Sequence, residues 1–170
     1  MNNTKTVTDF FLFYQKHDYA GMLSCLDPQV GFSDLAFRKI TGDDVRAMWN
    51  WFCIPTESRL KPVFILEFKI LEAEGEHVQA RYQVDYTLER GHRVNYVIQS
   101  DFTLRNGKIV RQVDSPTISN FQFARMALGF PKCLLALTPL FKPIIRGEMG
   151  KKLSEFRKTQ NSMQAAAGRS

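Results

Sequence analysis

Asp101-Phe-Thr-Leu-Arg-Asn-Gly-Lys-Ile-Val-Arg-Gln-Val-Asp114 is the stretch that decides the fold of this chain. Apolar and polar residues alternate on both sides of Arg105-Asn106-Gly107, the pattern of two half-buried strands joined by a tight turn. A loop this short cannot cross over a sheet, so the two strands are antiparallel. A three-residue loop with Gly107 in the left-handed region pairs Phe102 with Val110, Ser100 with Gln112 and Ile98 with Asp114. Those residues then share one face. It is mostly apolar with a few polar groups, the composition of a ligand cavity. The other face carries Asp101, Thr103 and Arg111.

The same period extends upstream. Val63–Glu74, Val78–Glu89 and Arg93–Leu104 read as three long strands and Lys108–Ile118 as a fourth, with turn signals at Glu74-Gly75-Glu76 and Arg90-Gly91. The register of the Arg90–His92 hairpin has two solutions. A three-residue loop puts Tyr82, Val84 and Tyr86 on the cavity face; a two-residue loop puts Arg81, Gln83 and Asp85 there instead. Burying three polar groups costs more than burying two tyrosines and a valine, which favours the tyrosine face.

Before the strands the period is helical. Val7, Phe10, Phe11 and Tyr14 form one stripe, and Asp18 can cap a short helix carrying Met22, Leu23 and Leu26, stopped by Pro28. Val30–Asp34 reads as a short strand. Gly42-Asp43-Asp44 opens a third helix with Val45, Met48, Trp49 and Phe52 on its apolar side and Trp51 opposite, placed to meet a partner or the C-terminal segment. After the strands, Ser119 can cap a helix ending at Gly129. Pro143 starts a last helix with Ile145, Met149, Leu153 and Phe156 on one side. Helices followed by serial antiparallel strands make an α+β fold.

Composition narrows the function. The 170 residues suit one domain. Residues 1–130 read as its α+β body, 131–158 as a helical extension and 159–170 as a disordered tail. The 14 phenylalanines suit a thick core or cavity walls. Residues 1–124 hold 14 Lys/Arg and 15 Asp/Glu, whereas residues 125–170 hold 9 and 2, so the basic excess lies at the C-terminus. That argues against a nucleic-acid-binding domain. Lys142, Arg146, Lys151, Lys152, Arg157 and Lys158 beside Leu134–Phe141 suit a docked helix with a solvated basic face; contact with an anionic membrane is the lesser reading. Cys25, Cys53 and Cys133, odd in number and in apolar surroundings, read as buried free thiols. Widely separated histidines and the lack of HExxH, CxxC or GxGxxG motifs imply neither a metal nor another cofactor. With no hydrophobic signal core at the N-terminus, a cytoplasmic protein is expected.

Phe10–Asp34, Gly42–Phe52, Ala80-Arg-Tyr-Gln-Val-Asp-Tyr-Thr87 and the hairpin Asp101–Asp114 carry a resemblance to the nuclear-transport-factor-2-like superfamily. Within it the chain is similar to the SnoaL-like group, relatives of polyketide cyclases, ketosteroid isomerases and limonene-epoxide hydrolase. The resemblance implies a cystatin-like cone, in which a curved sheet wraps the N-terminal helices. It also implies a homodimer through the exposed sheet face. Asp34 stands where the isomerases keep their base, but Phe10 and Ser100 occupy the positions of their oxyanion donors. Asp114 and Arg81 match two members of the hydrolase's aspartate–arginine–aspartate set, with Gln83 at the second acid and Asp85 two residues on. The expected function is binding of a hydrophobic small molecule, with cofactor-free acid–base chemistry by Asp34 or Asp114. Phe10, Tyr14, Trp49, Tyr82, Tyr86, Ile98, Ser100, Phe102 and Gln112 would form the walls. A non-catalytic module that binds a ligand or a protein is the other reading.

Overall fold

A computed structural model describes residues 3–55, 62–88 and 91–167. Helices α1 (Asn3–Gln15) and α2 (Tyr19–Cys25) lead into strand β1 (Leu26–Ser33); β2 (Ile40–Thr41) and α3 (Asp43–Cys53) follow. Four long strands come next: β3 (Phe64–Glu74), β4 (His77–Thr87), β5 (Arg93–Arg105) and β6 (Lys108–Pro116). The chain ends in α4 (Asn120–Leu128), a 3-10 turn (Lys132–Leu137) and α5 (Phe141–Ala167). The six strands form one curved sheet in the order β2-β1-β6-β5-β4-β3. Every pairing is antiparallel except β1 with β6, which run parallel.

The α1 stripe is buried as its spacing predicts. Val7, Phe10, Phe11 and Tyr14 meet Val45, Met48 and Trp49 of α3 and the inner sheet face in one core. Asp18 Oδ1 accepts from the Gly21 amide at 2.9 Å and caps α2. Trp51 is also buried, with its ring 6.4 Å from Phe156 of α5. Cys25, Cys53 and Cys133 are buried, and none of the three forms a disulfide.

Strand register departs from the expected pairs but keeps the expected face. The 105–108 turn has a two-residue loop, because Arg105 pairs with Lys108. Asn106 and Gly107 both have positive φ, 52° and 73°, as an Asn-Gly hairpin turn requires. A two-residue loop alone would turn Gln112 and Asp114 outward. An irregularity beyond Leu104–Ile109 absorbs one residue and restores the phase, so Phe102 pairs with Gln112, Ser100 with Asp114 and Ile98 with Pro116. At the preceding hairpin Tyr82 pairs with Ile98 and Thr87 with Arg93, and the Leu88 amide donates to the His92 carbonyl at 2.9 Å. This register shares the parity of the tyrosine-face solution but differs from it by two residues. Tyr82, Val84 and Tyr86 face inward, while Arg81 is exposed and Asp85 pairs with Arg93 at 2.6 Å. Arg90, part of both expected loops, lies outside the described residues.

Ser119 and Gln122 form a reciprocal capping box at the start of α4, and Gly129 closes the helix at φ 68°. Ser119→Ala removes one arm of that box. The expected loss is about 1 kcal/mol of stability, read from urea unfolding. Helix α5 packs Leu153 and Phe156 against α3, and Arg157 donates to Asp44. It runs on to Ala167, past Lys158, where the sequence predicts a disordered tail. No described helix is long and apolar enough to cross a membrane.

Candidate active site

Two aspartates meet where the sheet changes sense. Ser33 of β1 is the partner of Val113 of β6, so the parallel pair brings the next residues, Asp34 and Asp114, to the same end of neighbouring strands. Both line an open cleft of about 350 Å³ with Ser33, Leu35, Val113 and Pro116. Its rim includes three cationic side chains: Arg38 after β1, and Lys142 and Arg146 from α5. The Arg146 Nε–H donates to the Leu35 carbonyl at 3.3 Å, which fixes α5 beside the Asp34 turn.

Asp114 is only 6% exposed and is saturated with donors. Tyr82 and Ser100 donate to its two carboxyl oxygens, and Gln112 Nε2 donates to Oδ1 at 2.9 Å. Burial lifts its pKa to about 6, against the pull of the Ser100, Tyr82 and Gln112 donors. The amide of Gln112 is fixed by Asp114 and Ser100, and its Oε1 is buried without a partner.

Asp34 is less enclosed but more strongly perturbed. Burial lifts its carboxyl to about 7, the negative charge of Asp114 adds to the rise, and the Phe37 and Ala36 amides with Arg146 oppose it. Asp34 Oδ1 accepts from the Phe37 amide at 2.6 Å, and the Asp34 amide donates back to the Phe37 carbonyl at 2.8 Å. That closed turn holds the side chain at the cleft. Burial raises both acids, and the three donors on Asp114 favour its ionised form beside Asp34. Tyr82 and Tyr96 are also raised well above the usual phenol value, by burial first. Asp114 acts next on Tyr82; Tyr86, Asp34 and Asp114 act on Tyr96. Both phenols therefore stay protonated donors near neutral pH.

The expected wall residues fall into two groups. Tyr82, Ser100 and Gln112 surround Asp114 from behind the cleft, whose lining includes none of the three. Phe10, Tyr14, Trp49 and Phe102 are absent from the cleft lining and form a ring cluster in the core. Phe10 meets Trp49 at 5.3 Å and Phe102 at 6.2 Å, and Tyr14 meets Trp49 at 5.2 Å, all edge to face. Aromatic stripes at helical spacing interlock where the sequence predicts a cavity. Ile98 is buried beside them and Tyr86 is partly buried against the same core. Arg81 and Asp85 lie on the outer face, so the expected grouping of Arg81 and Asp85 with Asp114 does not form.

Tyr96 and the basic rim were not among the expected site residues. Tyr96 sits in the same period-two row as Ile98 and Ser100, and that alternation is its sequence signal. Nothing local marks Arg38, Lys142 or Arg146, which reach the cleft only through tertiary packing. Among the described residues no group of three His, Cys, Asp or Glu could hold a metal ion. A second hollow, of about 410 Å³, lies between α3 and α5, and its Asp44 and Arg157 already pair with each other.

Residues 7–112 match the family model described as SnoaL-like domain. The chain belongs to the SnoaL-like domain family. No curated protein matches this SnoaL-like chain in sequence. Its solved structural neighbours include a candidate polyketide cyclase from Pseudomonas putida, with 15% identity and a TM-score of 0.58, covering 67% of this chain and 90% of that one. An LEH-like epoxide hydrolase from M. tuberculosis has 20% identity and a TM-score of 0.55, covering 79% and 93%. TerC, co-crystallised with polyporic acid, has 18% identity and a TM-score of 0.55, covering 67% and 90%. At these identities the likeness of the SnoaL-like chain to its neighbours is one of fold.

Proposed function

We propose that this SnoaL-like protein binds a small, largely hydrophobic molecule in the Asp34–Asp114 cleft and moves a proton on it without a cofactor, with Asp34 as the general base. The observation that carries this reading is the pair of perturbed carboxylates side by side under a cationic rim. A base is most effective when its pKa lies near the working pH, and burial brings Asp34 there. Asp114, held by three donors, supplies a fixed negative charge and orients the Tyr82 and Ser100 hydroxyls. Lys142 and Arg146, in the same cleft lining, would stabilise negative charge developing on a carbonyl oxygen. Abstraction of a proton next to a carbonyl, the opening step of an isomerisation or cyclisation, fits this set better than epoxide opening, because Arg81 points away. A homodimer through the outer sheet face belongs to the same reading, supported by exposed Phe64 opposite Asp85 on that face.

The test is solvent deuterium exchange at the α-carbon of carbonyl ligands found in a thermal-shift screen, followed by NMR. Exchange by the native protein, rising with pH through about 7 as Asp34 loses its proton, is the expected result. Arg146→Met removes a cation that lowers the Asp34 pKa, so the rising limb moves to higher pH. Asp114→Asn removes a charge that raises it, so the limb moves lower. Exchange that is unchanged in Asp34→Asn overturns the assignment. Ligands that bind but never exchange favour the non-catalytic module, a reading supported by the donor saturation of Asp114.

A further inference from the structure

The segment between α4 and α5 leaves large apolar side chains in solvent. Phe130 is 82% exposed, Leu137 70% and Leu140 59%, and Leu134 and Ile144 are also exposed. Leu134 and Leu137 lie three apart on the 3-10 turn, where residues at that spacing eclipse one another. Leu140 and Ile144 are linked by the bond from the Ile144 amide to the Leu140 carbonyl, one helical turn apart. Beneath this ridge Ala124, Cys133 and Phe141 form a small core of their own, so the exposed side chains stand on a packed platform.

Charge identifies what would cover the ridge. Residues 125–152 contain six basic side chains (Arg125, Lys132, Lys142, Arg146, Lys151 and Lys152) and one acid, Glu148. Of the six, all but Arg146 are exposed. A second copy meeting this surface about a two-fold axis would set the basic groups against themselves. An anionic bilayer satisfies both components, taking the apolar side chains into the acyl boundary and the lysines at the headgroups.

We infer that the Phe130–Ile144 ridge docks this protein peripherally on an anionic lipid surface. This goes beyond the proposed chemistry and does not depend on it, since neither the ridge leucines nor Lys132, Lys151 and Lys152 take part in the acid–base set. Such docking would place the cleft, whose rim includes Lys142 of the same segment, beside the membrane.

The experiment is flotation of the full chain with vesicles of phosphatidylcholine alone or with added phosphatidylglycerol. The native protein floats with the anionic vesicles and is released by salt. A Phe130→Ser, Leu137→Ser, Leu140→Ser variant, altered only at exposed positions, keeps its melting temperature and loses at least tenfold in partition. Lys132→Glu, Lys151→Glu, Lys152→Glu loses at least about fivefold per lysine at low salt. Absence of flotation with anionic vesicles, or equal flotation of the serine variant, overturns the proposal. So does a solution mass that halves in the serine variant, because a second copy would then cover the ridge.

Discussion

Asp34→Asn stabilises the folded protein at pH 8 while lowering α-proton exchange by about 10²–10⁴-fold, the usual contribution of a positioned base. The stability effect follows from linkage. The Asp34 carboxyl is raised from 3.8 to about 7 by folding, so the folded state holds its proton more tightly than the unfolded chain. Its contribution is fully present below pH 3.8 and is lost as pH rises through about 7; above that the ionised, buried group is a constant penalty. The shift from 3.8 to about 7 corresponds to an upper bound of about 4 kcal/mol. Asparagine escapes the penalty but is a poorer acceptor for the Phe37 amide, so a net gain of about 2 kcal/mol is expected at pH 8. Below pH 4 native and variant converge. Thermal melts at the two pH values check this; the same difference at both would mean that Asp34 carries no folding penalty.

Phe10→Ala has the opposite character. Its ring is fully buried and meets Phe11, Trp49 and Phe102 edge to face at 5.7, 5.3 and 6.2 Å. Removing it leaves a cavity that α1 and the sheet cannot both close, because each is held by neighbours along its length. The expected cost is roughly 3–5 kcal/mol at any pH, seen as a fall in the urea midpoint with little change in slope. A loss below about 1 kcal/mol would show that the ring lines a loosely filled pocket instead of a packed core. The two substitutions thus separate the parts of the interior: a polar end that opposes folding and an aromatic centre that drives it.

The hairpin at Asn106-Gly107 shows why the sheet face was legible when the individual pairs were not. Alternation fixes the parity of a strand, and the core enforces it. Loop length fixes the pairs, and here a two-residue loop and a compensating irregularity moved each partner by two while leaving Ser100, Gln112 and Asp114 inward. Asp34 and Asp114 could each be singled out as acids at the end of apolar strands. Their meeting depends on the parallel β1–β6 pairing of segments about eighty residues apart, which no local pattern encodes. The cationic rim was hidden for the same reason, since α5 reaches Asp34 only through Arg146 and the Leu35 carbonyl. Phe10 and Trp49 show the limit of a different signal: an apolar stripe marks burial, and periodicity does not distinguish a wall from a filled core.

The parallel pairing also fixes when the site can exist during folding. The β3–β6 meander closes through short loops, whereas β1, paired locally with β2, must wait for β6 to fill its other edge. Contacts of such long sequence separation carry a large loop-closure entropy. A chain ending at Gln112, where the family match stops, would keep the three hairpin turns and lack one of the two acids. The proposed proton transfer at Asp34 would therefore report complete assembly, switched on only when the first strand has been sealed against the last.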